Sequence, residues 1–187
     1  YSHKDLLLNK CIEAVVVTVP RSYTVGVVKD CLSAGKHVMT EKPLAKNYRN
    51  ALKLKNLAKR KKLLLYVGYM KRHDTGLKEF KKLIEKKYSK NQKPLLIKSS
   101  CYMGDSYCSP FGSFKSSERA IPSKLSHEDF PGFLKKSETR GYENLINTYS
   151  HVFDALNFIF DEPLKLINSN ISNEGYGICL FDLKGTP

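Results

Sequence analysis

Lys36-His37-Val38-Met39-Thr40-Glu41-Lys42-Pro43 reads as a short buried strand, entered from a helix stop at Gly35 and cut off by Pro43. Proline removes a backbone donor and confines the residue before it to extended geometry, so Lys42 is aimed rather than loose. A lysine at the carboxyl end of a strand in an open α/β sheet lies on the edge where such sheets bind ligands. Partial burial there lowers an ammonium pKa toward a proton-transfer role. Taken bare, Glu41-Lys42-Pro43 fits a solvated surface turn as well as it fits a site.

Ahead of this stretch, Ala14-Val15-Val16-Val17-Thr18-Val19-Pro20 lies in a Val-rich strand over 12–19, with the continuous apolar character of a parallel strand covered on both faces. A helix over 23–33 sets Val27, Val28, Cys31 and Leu32 on one side, and the strand at 36–40 completes a right-handed βαβ unit. A second helix, 48–61, carries Ala51, Leu54, Leu57 and Ala58 at helical spacing and leads to a strand at 63–68. Strands and helices alternate, which defines the α/β, doubly wound class. Residues 1–11 read as the end of a helix and its exit, with Leu6, Leu7 and Leu8 facing a core.

After Gly68 the chain runs Tyr69-Met70-Lys71-Arg72-His73-Asp74 into a basic helix over 75–88, then a strand over 94–103. Residues 104–140 form a long polar and aromatic stretch with Tyr107, Phe111, Phe114, Phe130 and Phe133. Such a stretch suits a substrate-covering loop and ordinary loop anchors alike. From 142 to 160 the pattern is helical, and Asn147, His151 and Asp154 fall at i, i+4 and i+7 on one face. A polar line on an apolar helix must find partners or line a cavity, because burying it unpaired costs about 1–3 kcal/mol per group. His151 suits proton acceptance near neutral pH; alone, it equally suits a core histidine satisfied by Asp154 or a carbonyl. The last strand is 176–183.

Residues 14–45, with a strand, a helix, Ala34-Gly35-Lys36-His37-Val38 and Glu41-Lys42-Pro43 in that order and spacing, resemble the Gfo/Idh/MocA oxidoreductases. The resemblance implies the C-terminal half of a Rossmann domain over 1–68, without its glycine-rich N-terminal part. It implies at 69–187 part of an α+β open-sheet domain for substrate and oligomerisation. It further implies NAD or NADP as cofactor, contacted by Thr18, Val19, Pro20, Glu41 and Lys42, and a sugar, nucleotide-sugar or polyol substrate. Members commonly oligomerise, so a homo-oligomer is expected of the complete protein.

The family also has a helix bearing an acidic residue four positions before a histidine, with an Asp three after it. Here His151 and Asp154 match, and Asn147 stands in place of the acid. By resemblance, His151 removes or returns a hydroxyl proton while Lys42 holds the oxygen, and Asn147, Arg72 and Asp154 lie on the substrate side, Asp154 as a brace. Asn147 can hold hydroxyls and orient His151, but it cannot ionise. Arg72 equally fits an exposed basic residue at a helix start. Where relatives often read Thr-Pro-Asn-x-x-His, this chain has Val19-Pro20-Arg21-Ser22-Tyr23-Thr24, which leaves the cofactor preference open. Thr75 stands where relatives often carry proline.

The 187 residues are 41% hydrophobic and carry a net charge of +14. The excess is mostly lysine spread along helices, without the aromatic platform that base recognition needs, so neither nucleic acid nor membrane is the expected partner. Five cysteines without zinc spacing point to free thiols in a reducing, cytoplasmic setting. No apolar run nears the roughly 18 residues that span a membrane. With no glycine-rich turn before its first clear strand, the chain is expected to be an internal fragment that binds dinucleotide poorly by itself and is inactive alone. Two other readings are a catalytically silent sugar-binding or scaffold relative, and an anion-binding module exploiting the charge.

Overall fold

The computed structural model describes residues 3–88, 96–101, 130–161 and 164–183. The chain opens with α1 (His3–Leu8), β1 (Ala14–Val17), α2 (Arg21–Ser33), β2 (His37–Glu41), α3 (Tyr48–Lys61) and β3 (Leu65–Gly68). The strands form one parallel sheet in the order β1-β2-β3. Helices α2 and α3 cover one face of it. Val17 and Val38 from the sheet, Val28, Cys31 and Leu32 from α2, and Leu54 and Ala58 from α3 make the core.

Each helix ends for a local reason. At the end of α2, Gly35 takes a φ of +79°, and the amides of Gly35 and Lys36 bond back to the carbonyls of Leu32 and Cys31. This left-handed turn is the one that glycine permits without a Cβ clash. Helix α3 starts at Asn47, whose side chain accepts from the Asn50 amide, and stops at Lys62, a non-glycine residue at φ 55°. Holding a β-carbon in that region costs about 1–2 kcal/mol. Lys62→Gly is therefore expected to raise thermal stability by about 1 kcal/mol, read from the melting midpoint; a fall would show that the Lys62 side chain contributes more than its backbone costs.

The rest of the described chain is a 3-10 turn (Met70–His73), α4 (Thr75–Lys87), a short 3-10 segment (Lys136–Glu138), α5 (Thr139–Thr148), α6 (Ser150–Phe160), and an antiparallel hairpin of β4 (Leu164–Ile171) and β5 (Gly177–Leu183). Helix α4 packs on α6. Helix α5 meets the hairpin turn at a close approach: a β-carbon on Gly141 would collide with the Asn173 carbonyl, and one on Gly175 with the Gly141 carbonyl.

Four expectations are corrected. Only one face of β1 is covered: Val16 is exposed, in register with exposed Met39 and Tyr66 across the sheet, because α2 and α3 both lie on the other side. Of the first leucines, Leu7 packs on the core whereas Leu6 and Leu8 are exposed. Residues 96–101 of the expected 94–103 strand form none, since they find no partner ladder; the remainder lies outside the described residues. The single helix over 142–160 is two, interrupted at Tyr149, whose φ and ψ stay right-handed so that the helical path nearly continues. Strand β4 was not anticipated. Most of 104–140 lies outside the described residues, but Phe130 is buried against Tyr142 and Phe133 is exposed.

Candidate active site

The three parallel strands end along one edge, and the residues that follow them supply one wall of the site. Thr18 and Pro20 after β1 are exposed and Val19 is half-buried. Lys42 follows β2, with the Glu41 carboxylate accepting its backbone N–H at 3.2 Å. The Lys42–Pro43 peptide is cis.

The opposite wall is the junction of α5 and α6. The break at Tyr149 puts the Asn147 carbonyl in the last turn of α5, where helical carbonyls seek partners outside the helix. Lys42 supplies one: its Nζ donates to the Asn147 carbonyl at 2.6 Å and to Asn147 Oδ1 at 3.1 Å. An ammonium at this end of a helix also complements its dipole. Arg21 Nη2 donates to the same Oδ1 at 2.7 Å. Asn147 thus receives two cations from residues more than a hundred positions away.

His151 stands in the first turn of α6, half-buried, and its Nδ1 is enclosed with no hydrogen-bond partner. Burial, followed by the charges of Lys42 and Lys71, holds its pKa below the ordinary imidazole range; Asp154 and Glu41 oppose this. Near neutral pH the ring is consequently neutral and able to accept a proton.

Asp154 is buried and gripped by Arg72: Nε lies 3.0 and 2.9 Å from its two carboxylate oxygens, and Nη2 lies 2.6 Å from Oδ1. Arg72 also stacks over the Phe158 ring. Its fork is thus committed to a carboxylate of α6. Burial and the nearby Asp154 push the Tyr69 hydroxyl pKa up, with Arg72 opposing.

A second tie joins the strand ends to α5. Lys46 is buried, and its ammonium lies 2.9 Å from Glu143 Oε1 in a geometry too bent for a good hydrogen bond, and 4.5 Å above the Phe130 ring. The Tyr142 hydroxyl donates to the Lys46 carbonyl at 2.7 Å. The sequence did not flag Lys46 or Glu143, and it noted Arg21 only as a departure. No spacing signal links them, since each pairing depends on how α5 docks. Among the described residues, no group of three or more His, Cys, Asp or Glu side chains could hold a metal ion, and Cys11, Cys31, Cys101 and Cys179 are free thiols. No helix among them is long and apolar enough to cross a membrane.

Residues 1–69 match the model of an oxidoreductase family with an NAD-binding Rossmann fold. Through that segment, the chain resembles the Gfo/Idh/MocA family. Its relatives include an uncharacterized oxidoreductase of Schizosaccharomyces pombe, 42% identical over 81 residues, a match covering 43% of this chain and 22% of the relative. They also include the scyllo-inositol 2-dehydrogenase (NADP(+)) IolW of Bacillus subtilis, 35% identical over 81 residues and covering 43% and 23%. The match thus spans less than a quarter of the length of these curated relatives. Among solved structures, KijD10, a 3-ketoreductase from Actinomadura kijaniata in complex with NADP and TDP-benzene, is 28% identical with a TM-score of 0.43, covering 46% of this chain and 26% of that one.

Proposed function

We propose that the protein oxidises or reduces a CH–OH carbon of a sugar, nucleotide sugar or polyol, with residues 1–68 on the cofactor side and 69–187 on the substrate side. The observation that carries this reading is the convergence of Lys42, Asn147 and His151 at the carboxyl edge of a parallel sheet, where open α/β sheets bind ligands. The turn Thr18-Val19-Pro20, exposed at Thr18 and Pro20, the pair Glu41 and Lys42, and the orphaned Nδ1 of His151 suit the nicotinamide end of NAD or NADP. The sequence holds no Gly-x-Gly-x-x-Gly turn, so no residue here is assigned to the diphosphate. When bound, the nicotinamide supplies the hydride acceptor or donor.

The chain's own part is proton and charge management. His151, neutral and enclosed, takes the hydroxyl proton as the carbon is oxidised and returns it in reduction. The Lys42 ammonium stabilises the charge that develops on the oxygen. Asn147 fixes Lys42 through its carbonyl and side chain, and Arg72 fixes Asp154.

The test is to supply NAD or NADP with a panel of sugars and polyols to the purified full-length protein and follow nicotinamide absorbance. Turnover should depend on pH in a definite direction. The working base is neutral His151, so the rate is high above its pKa and falls as pH drops through it. The lowered pKa places that fall below the ordinary histidine value of about 6.5. His151→Asn should abolish the acid limb and cost about 100- to 10,000-fold in kcat. Binding of polyols without turnover would instead identify a catalytically silent relative, a reading favoured by an Asn147 that cannot ionise.

A further inference from the structure

We propose that the substrate carries a carboxylate, as in a uronate or aldonate, seated against the Arg21 guanidinium and the side-chain NH2 of Asn147. This rests on the oxidoreductase reading of the same site. The argument begins with the Asn147 amide, which faces Arg21 Nη2 at 2.7 Å and Lys42 Nζ at 3.1 Å. Guanidinium and ammonium groups only donate, so the oxygen must be the atom turned to them, and the flip of the amide is fixed by chemistry. Those two donors occupy both lone pairs of Oδ1. What Asn147 has left to offer a ligand is Nδ2, a pure donor.

A neutral alcohol at this corner could accept from Nδ2 but would find nothing on Asn147 to take its own proton, whereas a carbonyl or carboxylate oxygen only accepts and is matched in full. Charge chooses between those two. Among the described residues, Arg21 forms no ion pair, although a guanidinium carries five N–H donors. The neighbouring carboxylates are otherwise engaged: Asp154 by Arg72, Glu143 by Lys46, and Glu41 by the Lys42 amide. The corner is therefore rich in donors, positively charged, and bridged by a neutral amide. A planar carboxylate has the acceptors, the geometry and the charge to complement it. After burial, the charges of Lys42 and Lys71 also lower the His151 pKa, so positive charge reaches that ring as well.

The experiment compares matched pairs, a hexuronate against its parent hexose and an aldonate against its alditol, with NAD and NADP in parallel. The acid is expected to be preferred by about 10- to 100-fold in kcat/KM, as a charged hydrogen bond would give. Arg21→Met should collapse that ratio toward one, mainly through KM, and Arg21→Lys, which keeps charge but loses the fork, should fall between. Equal or better use of the neutral partner by the unaltered protein overturns the inference, and this arm needs no variant to fold. Survival of the acid preference in Arg21→Met also overturns it. So does a loss that falls equally on acid and neutral substrates with a raised KM for NAD and NADP alike, which would place the cofactor's own diphosphate on Arg21. If no substrate turns over with either cofactor, the oxidoreductase reading fails by itself. Calorimetric titration of the same pairs then decides: Arg21-dependent preference for the acid sustains the carboxylate inference, and its absence sinks it.

Discussion

Replacing Lys42 by methionine is expected to lower kcat by about 100- to 1,000-fold, the loss seen when a donor to a developing oxyanion is removed. Methionine keeps the length of the stem and removes the ammonium, so the change falls on the charge that meets the reacting oxygen. Because that charge develops in the transition state, the loss should appear in kcat more than in KM. Part of it will come through Asn147, whose carbonyl and Oδ1 both lose a donor. The two routes separate on pH: with a neighbouring cation gone, one cause of His151's lowered pKa is removed, and the residual activity should show its acid limb at higher pH than the unaltered protein. Full turnover by Lys42→Met would rule out its catalytic role and shift attention to His151 alone.

The second large effect is on stability. Arg72→Ala is expected to cost about 2–3 kcal/mol, because it leaves the Asp154 carboxylate buried without its counter-ion. The figure sits below that for a fully enclosed pair, since 42% of the Arg72 side chain remains exposed to water. For a chain of this size the melting midpoint should fall by about 4–12 °C. Arg72→Lys should recover little, because an ammonium cannot reproduce the two-pronged contact. Exchanging both partners, Arg72→Met with Asp154→Leu, should recover most of the loss, since breaking a buried pair costs more than replacing it. A midpoint unchanged by Arg72→Ala, with a raised KM for substrate, would return Arg72 to the ligand-contact role that the family resemblance assigns it.

Where the sequence was legible, a local rule sufficed. Tyr48–Lys61 could be read to its ends because Asn47 caps it and Leu54 and Ala58 fall on its inner stripe. Strand β2 and its lysine were legible because Gly35 and Pro43 punctuate them. A run of valines, in contrast, says that β1 is apolar but not which face is covered, and the exposed row of Val16, Met39 and Tyr66 follows from where the helices pack. Strand β4 was hidden by its own polarity: Asn168, Ser169 and Asn170 lie on a largely exposed hairpin held by ladder bonds to β5. In the candidate site, motif spacing singled out Lys42, Asn147 and His151, and the fold brings them to one edge. The grip of Arg72 on Asp154, of Arg21 on Asn147 and of Lys46 on Glu143 joins residues 82 or more positions apart, and only the docked structure creates those pairings.

The way the two walls of the site are joined has a thermodynamic consequence. Between the strand ends and α5, the joining contacts described are hydrogen bonds and charges on Asn147, Glu143 and Tyr142, with Phe130 stacked under an ammonium, and packing of the sheet and its helices onto α5 and α6 is sparse. Parting such a joint wets polar groups and little hydrocarbon. It would therefore carry a small heat-capacity change and a shallow dependence on urea, while ionic strength acts on it directly. The core beneath α2 and α3 has the opposite character, so salt and urea address different parts of the molecule: one loosens the joint at the candidate site, the other the scaffold behind it.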